Sequence, residues 1–305
     1  MYDVLCIGQS FCDLIFTDMD SFPVLGRESK SRDFLIKAGG AVNTPAALTR
    51  LGVKTLFCTT LGNDPLGEIV HDYMLKTGLD MSAVIRNDAY RTSVSAVLSM
   101  RDERGFATYF APFDYNQIVS RLEEYAQQCS HIHAYMDDCM HLPIIDIARK
   151  YNKTLSVDTA WDEKIKLADI KHIVESCNVF MTNEIESMSI TGASTAEEAL
   201  MRIGEYADIA VVKLGRNGSL IKQGSLVLNI PAINGVEAVD STGAGDLYGA
   251  GFIYGFIKKW DLERCAKFAT ASGNLAVTFY GGMDDSYTHE NVEHFYDLIQ
   301  KRDSM

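Results

Sequence analysis

Val239-Asp240-Ser241-Thr242-Gly243-Ala244-Gly245-Asp246, running on into Leu247-Tyr248-Gly249-Ala250-Gly251-Phe252-Ile253, decides how the chain is read. The downstream run of apolar and small residues is long enough for a buried helix. Asn234-Gly235 upstream reads as a turn. Gly243 and Gly245 free the backbone of Cβ atoms where a polyanion can approach. Unpaired N–H groups and the positive helix end then face that anion. Asp246 falls in the first helical turn, with its carboxylate aimed at the same spot. An acid beside an anion cradle is an awkward neighbour unless chemistry needs a base there. Phosphoryl transfer to a hydroxyl needs that pairing. The plainer reading is a tight loop with an aspartate placed for the helix dipole. A dinucleotide fingerprint fails, because the third glycine comes one place late, at Gly249. A Walker loop fails as well, since no Gly-Lys-Ser/Thr follows.

Working outward, 305 residues suit one large α/β domain with a small appendage, or two modest domains. Hydrophobic residues make up 47% and charged ones 23%, enough apolar material for an ample core. The net charge of −13, from 28 basic and 41 acidic residues, argues against a nucleic-acid or anionic-membrane partner. An anionic substrate must therefore meet a local positive site or a metal ion. Seven cysteines, scattered and odd in number, read as buried free thiols of a reducing cytosol. The amino-terminal segment is too short and too acidic for a signal peptide, and no stretch of 18 apolar residues spans a membrane. A cytoplasmic protein is expected.

Val4 to Ile7 reads as a buried strand, Leu14 to Phe16 as a further one, and Ser31 to Lys37 as an exposed one. Gly39-Gly40 then opens a helix with Asn43 near its start. Lys54 to Leu61 is a strand, and Gly62-Asn63-Asp64-Pro65 launches a helix around Gly67 to Thr77. Arg91 to Met100 alternates, Asp102-Glu103-Arg104-Gly105 is a hairpin turn, and Phe106 to Phe110 returns. Beyond Pro112, strands at 132–135, 154–158, 179–182 and 209–213 alternate with helices, which implies a parallel sheet covered on both faces. Segments 12–37 and 91–111 break that rhythm. They are expected to pair as a small separate sheet over the strand ends, where open α/β folds bind ligands.

Several motifs carry chemistry. Gly39-Gly40-x-x-Asn43 offers close backbone approach and an amide for a hydroxyl-rich ligand, or else a turn with a helix cap. Asp13, shortly after the first strand, can take neighbouring hydroxyls or be a loop aspartate. Asn183 and Glu186 follow a strand and can orient Mg²⁺ directly or through water. They also form a capping-box pattern, and the two roles are compatible. Lys213-Leu214-Gly215-Arg216-Asn217-Gly218 can hold phosphate by its backbone, or be a plain hairpin turn. Cys129, His131, His133, Cys139 and His141 have zinc-ligand chemistry, but their spacing fits no common zinc pattern and they read as coincidence.

Together these motifs resemble the ribokinase-like (pfkB) carbohydrate kinase family. Gly39-Gly40-Ala41-Val42-Asn43 is similar to its amino-proximal signature and Asp240-Ser241-Thr242-Gly243-Ala244-Gly245-Asp246 to its carboxy-proximal one. Asn183-x-x-Glu186 resembles its magnesium and phosphate motif, and Leu61-Gly62-Asn63-Asp64-x-x-Gly67 fits its pattern in order and spacing. The resemblance implies an α/β three-layer sandwich with a mostly parallel central sheet and a β-sheet lid. Residues 1–11, 38–90 and 112–305 would form the large domain, and 12–37 and 91–111 the lid. It implies ATP as co-substrate, Asp246 as catalytic base, and Gly243, Ala244 and Gly245 as the anion hole. Asn183 and Glu186 would place Mg²⁺ through water, and Asp13, Gly39, Gly40 and Asn43 would hold the acceptor. Lys213, Gly215, Gly218 and Asn274 would border the nucleotide. Many members hold a monovalent cation such as K⁺ near the residue matching Asp240 and near the later loop, here Gly281-Gly282. This chain departs there, with Gly282 in place of the usual alanine. Lid pairing between subunits implies a homodimer.

The acceptor is left open. A nucleoside needs an aromatic slot, for which Phe16, Phe106, Tyr109 or Phe110 are at hand, whereas the polar run Asp158 to Asp162, with Trp161 inside it, leans towards a sugar. A phosphosugar needs a cation, from Arg27, Lys30, Arg91 or Arg104. A catalytically inactive sugar-binding regulator on the same scaffold is the reading from another class.

Overall fold

The computed structural model describes residues 1–100, 103–112, 115–160 and 162–304. Strands β1 (Val4–Ile7), β2 (Ser10–Thr17) and β3 (Asp33–Gly40) lead to α1 (Asn43–Arg50), β4 (Thr55–Gly62), α2 (Pro65–Thr77) and β5 (Val84–Asn87). Next come β6 (Ser93–Met100), β7 (Glu103–Tyr109), α3 (Tyr115–Ala126), β8 (His131–Tyr135), α4 (Met136–His141), α5 (Ile144–Lys150), β9 (Thr154–Asp158) and α6 (Leu167–Val174). The carboxy-terminal part holds β10 (Val179–Asn183), α7 (Glu184–Thr191), α8 (Ala196–Ile203), β11 (Ile209–Lys213), β12 (Ser219–Gln223) and β13 (Leu226–Ile230). Three longer helices complete it: α9 (Ala244–Ile257), α10 (Leu262–Ala276) and α11 (His289–Asp303).

Among the described residues, nine strands form one sheet in the order β13-β12-β11-β10-β9-β8-β1-β4-β5. All pairings from β5 to β11 are parallel, and β12 and β13 return antiparallel at one edge. The pleat explains the layers. In β1, Val4 and Cys6 belong to one apolar cluster, with α1, α9 and α10, while Leu5 and Ile7 belong to another, with α3, α5 and α6. Strands buried on both faces in this way read as continuous apolar runs, which is why they are visible in the sequence. The expected three-layer α/β sandwich is what forms.

The two segments that broke the rhythm make a separate four-stranded sheet, in the order β3-β2-β6-β7. Its extent differs from the sequence reading. The strand expected at Leu14 to Phe16 is the eight-residue β2, and the glycine pair does not open a helix but ends β3, with Ser10 opposite Gly40. Helix α1 starts at Asn43 instead. Gly105, expected in a hairpin turn, lies inside β7 opposite Leu98; Asp102 lies outside the described residues, as does Trp161. Strands β5 and β13 were not foreseen, being short, and β13 being largely exposed.

Asp64 shows how local chemistry ties the two sheets together. Its carboxylate caps α2 through the Gly67 N–H at 2.8 Å and takes the Thr92 N–H and hydroxyl at 2.7 and 2.8 Å. Thr92 immediately precedes β6, so the cap of a large-domain helix also fixes where the small sheet begins.

Candidate active site

Adjacent parallel strands end in polar side chains at one edge of the large sheet. Tyr135 ends β8, Asp158 ends β9, Asn183 ends β10 and Lys213 ends β11. Register puts Tyr135 beside Asp158, and Asn183 beside Lys213. The amino end of α9 comes down onto this row. Gly243 caps the helix in the left-handed region, with φ of 74°, and a side chain there would strike the backbone of Gly282. Asp246 is in the first turn, as expected. By position, the first N–H groups of α9 have no carbonyl one turn back to bond; that of Ala244 makes a long contact of 3.3 Å to Ser241 O.

A cavity of about 850 Å³ opens at this point. Gly243, Ala244, Gly245 and Asp246 form part of its wall, with Asn183, Glu186, Lys213, Gly215, Gly218 and Asn274. Each of these was singled out from sequence, and the fold brings them to one hollow. Gly215 opens and Gly218 follows a single 3₁₀ turn between antiparallel β11 and β12, so the hairpin reading also holds. The Asn274 amide is fastened between Ile233 N at 3.2 Å and Thr270 O at 2.7 Å. Ile233, Val236, Ala238 and Val277 give that end of the cavity an apolar wall.

Asp13, Gly39, Gly40 and Asn43 lie outside this wall. Asn43 Nδ2 donates to Asp246 Oδ2 at 2.9 Å. Asp13 packs against Gly39, where any Cβ would fall on its carboxylate. Asp246 thus belongs to the cavity wall and is bonded to one residue outside it, Asn43. Its other oxygen, Oδ1, accepts from the Tyr135 hydroxyl at 3.1 Å. Burial raises the Asp246 pKa, while Asn43, Lys213 and Tyr135 pull against it. Burial, and then the charge of Asp246, pushes Asp13 up to about 7.

Beneath the glycine loop lies an ion pair that the sequence did not reveal. Lys213 Nζ meets both oxygens of Asp158, at 2.8 and 2.7 Å, and Asp158 is 3% exposed. Burial works against the charge of Lys213, but Asp158, Glu186 and Asp246 outweigh it and hold its pKa up. Burial pushes Asp158 up to about 6, with Lys213 pulling the other way. A Cβ on Gly245 would touch the ammonium at 3.5 Å, so the glycine loop rests on this pair.

Asn183 and Glu186 form the reciprocal capping box of α7, and Glu186 Oε2 also accepts from the Thr159 hydroxyl at 2.5 Å. Among the described residues, no group of three or more His, Cys, Asp or Glu could hold a metal. Magnesium that keeps its waters and takes phosphate oxygens needs fewer protein ligands. A Glu186 carboxylate on the cavity wall fits that demand.

Asp240 is not in the wall. Arg104, from β7, pairs with Asp240 and donates to Thr242 Oγ1 at 2.9 Å. Of the four cations considered for a phosphosugar, Arg104 is thus the one that reaches the glycine loop, while Arg27, Lys30 and Arg91 are exposed. Of the residues with zinc-ligand chemistry, His131 and His133 are ordinary core: they share the Ser156 hydroxyl at 2.8 and 2.9 Å, and burial pushes both down to about 3, while His141 is exposed at the end of α4. All seven cysteines are free and buried. No helix among the described residues is long and apolar enough to cross a membrane.

Tyr135 was missed, and Asp158 was read only as part of a polar run leaning towards a sugar. The available signal was position: each strand of a parallel sheet delivers its last side chain to the ligand edge. Applied to every strand, that rule would have found Tyr135 and Asp158.

The chain is 26% identical over 278 residues to the 2-dehydro-3-deoxygluconokinase of Bacillus subtilis, covering 85% of this chain and 86% of that one. In fold it resembles the ribokinase of Arabidopsis thaliana complexed with ribose and ATP, with a TM-score of 0.81, 20% identity, and coverage of 97% and 98%. It also resembles the adenosine kinase of Sinorhizobium meliloti, with a TM-score of 0.84, 20% identity, and coverage of 96% and 99%. Residues 1–289 match the pfkB family carbohydrate kinase pattern. With that match spanning nearly the whole sequence, the chain belongs to the pfkB family of carbohydrate kinases.

Proposed function

We propose that the protein transfers the γ-phosphoryl group of ATP to a hydroxyl of a sugar or sugar-like acceptor, with Asp246 as general base. One observation carries this. Asp246 shares a cavity wall with Gly243, Ala244 and Gly245 on one side and is hydrogen-bonded to Asn43 on the other. A base so placed stands between a phosphate cradle and a hydroxyl-binding patch made of Asp13, Gly39, Gly40 and Asn43.

The acceptor hydroxyl gives its proton to Asp246 as its oxygen attacks the γ-phosphorus and the bond to the departing ADP breaks. Asn43 and Tyr135 fix the carboxylate, so little reorganisation is left for the reacting complex. N–H groups at the start of α9 meet the charge that develops on the phosphoryl oxygens. Lys213 adds positive charge from below, and Gly215, Gly218 and Asn274 border the nucleotide. Asn183 and Glu186 would hold magnesium through water, and its charge would offset that of the phosphates. The small sheet, β2, β3, β6 and β7, acts as a lid that excludes water.

The lid leaves β3 at an edge with Phe34 and Ile36 exposed, which supports pairing with a second copy through that strand. Seven free, buried cysteines suit a reducing cytoplasm.

A second reading, nucleoside phosphorylation, is favoured by one contact. Phe110 packs edge-on against Phe11 at 5.3 Å, and Phe11 in turn lies against Gly40, so an aromatic pair borders the acceptor patch. Phe16 is instead taken up by Phe34, at 5.0 Å. An ADP-release assay against sugars, sugar acids, polyols and nucleosides separates these readings. Turnover with sugars or sugar acids is expected; turnover with nucleosides alone favours the second reading. Acceptor binding without turnover points to a regulator.

A further inference from the structure

Kinship with the pfkB family brings a monovalent cation to Asp240 and the loop around Gly281-Gly282, and the residues here do not fit one. Oxygens that could replace the hydration shell of K⁺ are present, but positive charges of the chain itself already hold them. From β3, Lys37 Nζ donates to Tyr280 O at 2.5 Å and Met283 O at 3.2 Å, with Asp284 Oδ2 at 3.9 Å. From β7, Arg104 pairs with Asp240 Oδ1 and bonds Thr242. Asp240 Oδ2 takes the Gly281 N–H at 2.8 Å, closing the network between the two loops. Asp240 is 7% exposed, so its partners face little competition from water.

We propose that Lys37 and Arg104 are built-in counter-cations that position the anion cradle, so that the reaction needs no added potassium or sodium. Lys37 donates to carbonyls of the 280–284 loop, and Arg104 neutralises the carboxylate that anchors it. Gly243 packs directly on Gly282, so order in that loop is passed to the first turn of α9. Both cations come from the edge strands of the small sheet, which seats the lid on the cradle by the same contacts. Lys37 and Arg104 act through the loops and are positioning residues.

This inference rests on the kinase reading, and its test uses two readouts so that the two can fail separately. Wild type and Lys37→Ala are compared in KCl, NaCl and choline chloride at equal ionic strength, by thermal unfolding and by ADP release. Wild type is expected to show the same midpoint and turnover, within about twofold, in all three salts. Lys37→Ala is expected to lose about tenfold or more in turnover in choline, to unfold earlier, and to recover several-fold with KCl or ethylammonium. Lys37→Met, which keeps the aliphatic stem lying on Gly281, serves if the alanine variant does not fold; the same loss in choline is expected. Activation or stabilisation of wild type by K⁺ overturns the proposal. So does a Lys37 variant that matches wild type in choline, or an alanine variant whose loss neither K⁺ nor ethylammonium relieves. Absence of wild-type turnover with every acceptor counts against the kinase reading, and the unfolding midpoints still decide this one.

Discussion

Asn43 Nδ2 donates to Asp246 Oδ2 at 2.9 Å, a bond between the two signatures that spans 203 positions of the chain. Tyr135 holds the second oxygen at 3.1 Å, so both carboxylate oxygens are oriented before any acceptor arrives. Asn43→Ala and Tyr135→Phe are each expected to lower kcat by about 10- to 100-fold and to leave the KM for ATP within about threefold. Steady-state kinetics with ATP varied at saturating acceptor checks this.

Gly282, where the family carries alanine, has a local reason. A Cβ at that position would fall on the Asn43 amide, whose Oδ1 is buried without a partner among the described residues. Gly282→Ala must therefore push Asn43 away from Asp246. A kcat loss of about tenfold or more and a stability loss of about 1–3 kcal/mol are expected. Kinetics with a urea unfolding curve measure both.

Removing one member of the Asp158–Lys213 pair strands the other in the interior. Asp158→Ala is expected to destabilise the fold by about 3–5 kcal/mol, and Lys213→Met similarly. Asp158→Ala/Lys213→Met should cost less than the sum of the two, which a double-mutant cycle reads. Lys213→Met should also raise the KM for ATP, because the glycine loop loses the positive charge beneath it.

Asp13 gives a pH dependence with a defined sign. Its carboxyl moves from 3.8 to about 7 on folding, so between those values the folded chain holds a proton that the unfolded chain has released. Stability then falls as pH rises from about 4 to 7 and levels off above. Asp13→Asn removes this slope and is expected to be more stable than wild type at pH 8, by on the order of 2–4 kcal/mol, with little gain at pH 4. Its KM for the acceptor should rise. Urea unfolding at the two pH values, with acceptor titrations, checks both.

The large sheet was legible because each central strand is an apolar run bounded by polar or glycine residues, as in Val179 to Asn183. Short or exposed strands such as β5 and β13 carry no such contrast. The glycine pair at 39–40 misled because glycine punctuates a strand end and a helix start alike. At the site, residues carried by a dense motif were readable: Gly243, Gly245, Asp246, Asn183 and Glu186. Tyr135 and Asp158 are marked only by their place at strand ends, and Lys37 gains meaning only from the distant loop at 280–284. Asp240 was weighed as a possible cation position; in the structure Arg104 pairs with it.

Asp246→Asn tests the central claim most directly, by ADP release at saturating acceptor alongside calorimetric binding of ATP. With Asp246 as the base, turnover falls by about 10²- to 10⁴-fold while ATP binds within about threefold of wild type. Turnover within about threefold of wild type would remove Asp246 from that role and with it the placement of phosphate and acceptor on its two sides.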